Sequence, residues 1–193
     1  FCVRLEEFSE DGVIGCIIDR AQPQREPAVK LTLCVSLTQR EKFELILQKN
    51  VEVGTTCIAP FLSRYSLVRE KTIAAKRRSR WEDILREAAE QSGRVLIPTL
   101  NEIVSLPRLI EKCVQEQDIC LAAWEGEQTT SLQEALQTLQ DKKPIRSAAV
   151  FIGPEGGFAQ QEVELFEKAG VQPVSLGKRI LRNFIRSASP RSE

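Results

Sequence analysis

Apolar runs at 29–37, 57–62, 119–123 and 147–152 recur along the chain, and segments with helical spacing lie between them. The first, "VKLTLCVSL", is nearly continuous, as strands are in parallel sheets covered on both faces. Next, Phe43, Ile46, Leu47 and Val51 fall at helical spacing within 40–53, with Gly54 as a C-cap signal. "CIAPFL" follows as a second strand, and a strand-helix-strand unit implies a right-handed parallel crossover. In the charged helix 75–92, Trp81, Ile84, Leu85, Ala88 and Ala89 share one face. A strand at Val95, Leu96 and Ile97, a helix near 106–117 and a strand at 119–123 come next. Ser131 and Glu134 form a capping box for a helix at 131–140. After strand 147–152 come a helix at 159–169 and a last strand and turn at 171–177. This alternation predicts an α/β class with a mainly parallel sheet. Residues 1–20 read as short β pieces, 21–28 as a polar linker with two prolines, and 29–182 as the main domain.

Composition removes several chemistries. There is no histidine, which excludes Ser-His-Asp and Cys-His catalysis and any imidazole base. The six cysteines form no CxxC pair, so no zinc or other metal site is expected. They read as reduced, small core residues of a cytoplasmic protein. No apolar run approaches the ~20 residues of a membrane helix, and "FCVRLEEF" carries acids where a signal peptide carries basic residues. With no methionine in the chain, the native start is expected upstream. Net charge is zero, so nucleic-acid binding requires a local patch.

The stretch "AAVFIGPEGGF" at 148–158 ends a buried strand on three glycines, a proline and an acid. Ligands of open α/β sheets sit beyond the carboxyl ends of strands, and glycines let a ligand approach the main chain. The spacing is neither GxGxxG nor a Walker loop. A tight strand-to-helix turn explains the glycines as well as a ligand does; Pro154 and Glu155 are more than a turn requires. A second strand-end element, "LGKRILR" at 176–182, is basic. The two loops could form opposite walls of one pocket, or the second could be a turn with solvated cations.

Together, "FIGPEGGF" and "VSLGKRILR" resemble the SPOUT-class RNA methyltransferases, most closely the ribosomal RNA small subunit methyltransferase E family. "KFELILQKNVEVG" (42–54) and "RWEDILREAAEQSGRVLIP" (80–98) resemble further stretches of that family, so the likeness runs from 31 to 182. It implies methylation of the N3 of a uridine in 16S rRNA, with S-adenosylmethionine as donor. It also implies a trefoil-knotted α/β domain, a homodimer, and an N-terminal PUA-like RNA-binding β-barrel of which residues 1–20 are a remnant. The donor would lie among Ala122 and Trp124, then Ile152, Gly153, Gly156 and Gly157, then Leu176, Gly177, Ile180 and Leu181.

Methyl transfer is positioning plus electrostatics. The uridine nitrogen loses its proton, and the charge developing on the ring oxygens needs a cation. Arg182 is the first choice, always charged and with a planar donor fork. Glu155 is the second catalytic candidate, with ordering of the glycine loop as its safer role. Gln91 and Arg94 match a family stretch with a substrate-side role; a cation at a helix C-terminus looks the same. Lys76, Arg77, Arg78 and Arg80 suit RNA phosphates, or simply a solvated face. Trp81 reads as core rather than a base-stacking platform. Lys49 and Glu52 match the family's first helix, as an ordinary surface pair would.

Two departures stand out. The family continues past Arg182 with Thr-Glu-Thr-Ala and a long apolar helix; here 183–193 read "NFIRSASPRSE", a composition that predicts disorder. Ala159 stands where a hydroxyl residue commonly caps the following helix. These departures raise a second reading, an inactive RNA-binding protein of the same fold. A third is a nucleotide-binding domain unrelated to methyl transfer.

Overall fold

The computed structural model describes residues 1–10, 12–20, 26–66, 75–127, 129–140 and 144–177. β1 (Cys2–Ser9) and β2 (Gly12–Asp19) pair as an antiparallel ribbon. Every described position of the ribbon is exposed, including Leu5, Phe8, Val13 and Ile14. Cys2 and Cys16 lie on it, which corrects the expectation that the cysteines are core residues.

The main body follows as β3 (Lys30–Ser36), α1 (Arg40–Glu52), β4 (Cys57–Leu62), α2 (Ala75–Gln91), β5 (Thr99–Leu100), β6 (Val104–Ser105), α3 (Leu106–Glu116), β7 (Ile119–Ala123), α4 (Leu132–Gln140), β8 (Ser147–Ile152), α5 (Gln160–Ala169) and β9 (Gln172–Val174). Its sheet has the order β5-β4-β3-β8-β7-β9, with β6 also on β4. All its strand pairs are parallel.

The apolar strands bury both faces, as a parallel sheet requires. On one face Leu33, Val35, Ile58 and Ile152 pack with Phe43, Ile46 and Leu47 of α1 and Trp81 and Leu85 of α2. The Phe43 and Trp81 rings lie 4.4 Å apart, which confirms Trp81 as core. Burying a side chain of that size contributes about 2–3 kcal/mol. On the other face Cys34, Ala59, Phe61, Ala122 and Phe151 meet α3 and α5. α4 covers Ile119, Leu121 and Val174 at the β9 side. It starts at the expected capping box: Ser131 N donates to Glu134 at 2.9 Å, and Glu134 N to Ser131 Oγ at 3.2 Å.

One expected strand is absent. Val95, Leu96 and Ile97 are exposed and unpaired in the sheet, and the strand is β5, further on. The backbone N–H groups of Val95 and Leu96 instead donate to Glu26 Oε1, at 3.0 and 3.2 Å. A donor held by a carboxylate is not free to join a ladder.

Candidate functional site

β8, β7 and β9 run parallel and adjacent, so their carboxyl ends deliver three loops to one edge. Ala123 pairs with Ile152 on one side and Val174 on the other. Beyond these residues come the loops at 124–127, 153–157 and 175–177. Trp124 N donates to Val174 O at 3.1 Å, and Leu132 N to Ser175 O at 2.9 Å, tying the first loop and the start of α4 to the third.

Glycine is required at defined points. At Gly153 a Cβ would stand 3.2 Å from both the Gly157 carbonyl carbon and the Phe158 ring, so a methyl group there would press the loop or the ring outward by a few tenths of an ångström. Gly157 has φ +73° and donates to Pro154 O at 2.9 Å, completing a tight turn. Among the described residues, a Cβ built on Gly157 or on Gly177 would meet nothing within 4 Å. Ala122 and Ile152, near the ends of β7 and β8, are fully buried on opposite faces of the sheet. Leu176 packs partly against the α1 side of the sheet. The Trp124 side chain folds over Gly126, where any Cβ would clash with its ring. Glu127 Oε1 accepts from the backbone N–H groups of Thr129 and Thr130, at 2.7 and 2.9 Å.

Glu155 forms an ion pair with Lys42 of α1, which fixes the tip of the glycine loop against the helix beside β3. A fourth loop, 63–66, closes this side. Ser63 Oγ and Arg64 N donate to the Glu162 carboxylate at 2.9 Å each, and Ala159 N donates to it at 2.9 Å. Glu162 thereby satisfies the backbone N–H of Ala159, while its own N–H donates to Ala159 O at 2.8 Å. Ser66 Oγ pairs with Ser36 Oγ at 2.7 Å in the interior. Tyr65 borders Gly156. Lys42, Ser63, Tyr65 and Glu162 were not found from sequence. No local pattern marks Lys42 or Ser63, because their partners lie 113 and 99 residues away.

The candidate RNA contacts divide. Lys76 is exposed at the start of α2, and Arg77 lies beside it, half-buried. Arg78 bonds Glu82, Glu102 and Leu100 O, at 2.9, 2.7 and 2.8 Å. Arg80 forks onto Glu44, at 2.8 Å from each oxygen. Gln91 is exposed at the far end of the same helix, about 25 Å away at 1.5 Å per residue. Arg94 is beyond it, with its side chain only 5% exposed. It donates to Glu26 at 2.5 Å and to Thr55 O at 2.6 Å, at the opposite edge of the sheet from the glycine loops. Arg94 is therefore a clamp on residue 26 in this structure. Its hydrogen bond holds the Glu26 carboxyl below the usual range, against the opposing effect of burial. Lys49 and Glu52 are a surface pair at 2.9 Å.

Ile180, Leu181 and Arg182 lie outside the described residues, as do the tail and any knot crossing beyond Gly177. A groove of about 940 Å³ lined by Lys30, Thr32, Cys57, Lys112 and Cys113 opens at the amino ends of the strands, away from the three loops.

With this geometry in hand, comparisons with known proteins identify its relatives. Residues 24–184 match a family model described as an RNA methyltransferase domain. The ribosomal RNA small subunit methyltransferase E of Bacillus subtilis (strain 168) is 34% identical over 181 residues, 92% of this chain and 70% of its own length. That of Mesomycoplasma hyopneumoniae (strain 232) is 32% identical over 167 residues, 86% of this chain and 70% of its own. A crystal structure of the Neisseria gonorrhoeae enzyme bound to S-adenosyl methionine superposes with a TM-score of 0.83 at 30% identity, covering 96% of this chain and 73% of that one. A Legionella pneumophila protein in complex with the same cofactor gives 0.80 at 28% identity, covering 96% and 74%.

Proposed function

This chain belongs to the ribosomal RNA small subunit methyltransferase E family, and we propose that it methylates small-subunit rRNA with S-adenosylmethionine, at the N3 of a uridine. The observation that carries this reading is the meeting of three strand-end loops, at 124–127, 153–157 and 175–177, on adjacent parallel strands. The residues fit the donor. Among the described residues nothing crowds Gly157 or Gly177, and Gly153 permits the sharp return of the loop.

When bound, S-adenosylmethionine supplies an electrophilic methyl group. The chain's own contribution is binding and orientation. Backbone groups of the three loops would hold the donor beyond Ala122 and Ile152, and the family resemblance implies Ile180 and Leu181 as further donor contacts. Lys42 and Glu155 fix the glycine loop, so donor binding does not have to order it. The uridine N3 carries a proton at neutral pH, and its loss places negative charge on the two flanking ring oxygens. Arg182 faces that charge in this proposal, offering a planar, permanently protonated fork. Lys76 and Arg77, at the end of α2 nearest the loops, meet phosphates of the RNA. The family's knot and homodimer are part of the same proposal, with the knot formed by the segment that follows Gly177.

The test combines calorimetric titration of S-adenosylmethionine with transfer of labelled methyl to small-subunit rRNA. N3 methylation blocks the Watson–Crick edge, so reverse transcription on the product stops beside a uridine. Binding heat plus that stop is the expected result. Binding without transfer leaves the RNA-binding reading raised by residues 183–193. ATP or NAD binding in place of S-adenosylmethionine would overturn the assignment.

A further inference from the structure

Four of the six cysteines are held in the sheet body, and two of them touch. Cys34, at the centre of β3, and Cys113, on α3, have sulfur atoms 3.6 Å apart. Both belong to the apolar layer between the sheet and α3, with Ala59, Ala122, Ala149 and Phe151 around them. On the sheet, Ala59 flanks Cys34 on the β4 side and Phe151 on the β8 side, and the two sulfur atoms face each other between β3 and α3. A disulfide needs a sulfur separation of about 2.05 Å, so closure requires an approach of about 1.5 Å, within the reach of side-chain rotation.

We propose that Cys34 and Cys113 are a dithiol modification site, which hydrogen peroxide or another two-electron oxidant closes into an intramolecular disulfide. Access is provided by the groove at the amino ends of the strands, whose lining includes Cys113 and Cys57. The proposal does not depend on methyl transfer.

The surroundings separate the roles of the two sulfurs. The Cys34 hydrogen bond lowers the Cys113 thiol below its ordinary value, with Lys112 adding a smaller effect in the same direction; burial and Glu116 oppose them. Burial pushes the Cys34 thiol well up. Burial also raises Cys57, and it pushes Cys120 up to about 12, which leaves neither a better nucleophile. Lys30 and Arg146 are the other charges lining the groove.

Cys113 thiolate attacks a peroxide oxygen, the O–O bond breaks, and hydroxide leaves. The sulfenic acid formed on Cys113 is then attacked by the Cys34 sulfur. The S–O bond breaks and the hydroxyl departs with the Cys34 proton as water. In total, two thiols lose two electrons and two protons, and one peroxide becomes two waters. The product ties the centre of the sheet to α3 across 79 residues.

The test uses the full chain with the ribbon cysteines replaced, Cys2→Ser and Cys16→Ser, because both are exposed and would react first. After a stoichiometric dose of hydrogen peroxide under native conditions, two titratable thiols should be lost. Peptide mass spectrometry without reduction should find Cys34 joined to Cys113, and dithiothreitol should restore both thiols. The oxidised chain should also melt at a higher temperature than the reduced one. Cys34→Ser, whose hydroxyl can still donate to the Cys113 sulfur, should abolish the cross-link and leave a sulfenic acid on Cys113 that dimedone traps, while Cys120→Ala should leave the cross-link intact. A cross-link that forms only in urea, oxidation that settles on Cys57, or thiols that survive the dose in the folded chain would each overturn the proposal.

Discussion

Ser63 Oγ donates a 2.9 Å hydrogen bond to the carboxylate of Glu162, joining the exit of β4 to the first turn of α5 across 99 residues. Glu162 is 7% exposed and accepts three further hydrogen bonds, a second from Ser63 and one each from the backbone of Arg64 and Ala159. A carboxylate so placed satisfies the backbone N–H at the start of α5 and binds loop 63–66 to the helix that follows the glycine loop. Glu162→Ala leaves the buried Ala159 N–H and the part-buried donors of Ser63 and Arg64 without their acceptor and should destabilise the fold by about 1–3 kcal/mol. Urea unfolding measures this, and a loss comparable to a surface substitution would refute the role.

The glycine loop makes a second prediction with two different causes. Gly153→Ala places a methyl group 3.2 Å from backbone and ring atoms, an overpacking cost of about 1–3 kcal/mol. Gly157→Ala meets no atom but must hold φ +73°, at a cost of about 1–2 kcal/mol. Thermal melting of both variants, with and without S-adenosylmethionine, separates them. The Gly153 variant should lose ligand-induced stabilisation, because its clash reshapes the loop.

Arg94 and Glu26 form a nearly buried pair, at 5% and 18% side-chain exposure. Removing one partner of such a pair leaves the other uncompensated, so Arg94→Ala should cost about 3 kcal/mol. Arg94→Lys should not restore it, since one guanidinium serves Glu26, Val51 O and Thr55 O together. RNA affinity and its salt dependence should be unchanged per folded molecule. A reduced salt slope in Arg94→Ala would return the residue to the RNA interface.

Acid stability should report on Glu44. Hydrogen bonds from Arg80 and then Arg40 lower its carboxyl from 4.5 to about 2 in the folded chain. A depressed folded value means that the folded state binds fewer protons. The stabilisation is therefore complete above pH 4.5 and is lost as pH falls toward about 2. Its size is about 1 kcal/mol, because both arginines are largely exposed. Glu44→Gln should flatten the stability profile over that interval and leave it unchanged in shape near neutrality, as urea titrations at a series of pH values would record.

Element types were legible in the sequence because they depend on neighbours a few residues apart. Helical spacing placed α1, α2 and α5, Ser131 and Glu134 placed the start of α4, and unbroken apolar runs marked β4, β7 and β8. The strand expected at Val95, Leu96 and Ile97 failed for a non-local reason: Glu26, roughly seventy residues earlier in the chain, holds two of its N–H groups.

The sequence by itself determined that strands and helices alternate, that the strands are buried on both faces, and that two glycine-bearing turns follow strands. These follow from periodicity and from backbone conformations that few residues tolerate. Tertiary structure alone decided that β7 lies between β8 and β9, which brings three loops to one edge. It also decided that Glu155 meets Lys42, that Glu162 meets Ser63, and that Arg94 turns inward. Strand order is chosen by how whole apolar faces fit together, and partners about a hundred residues apart leave no trace in the local pattern of either segment.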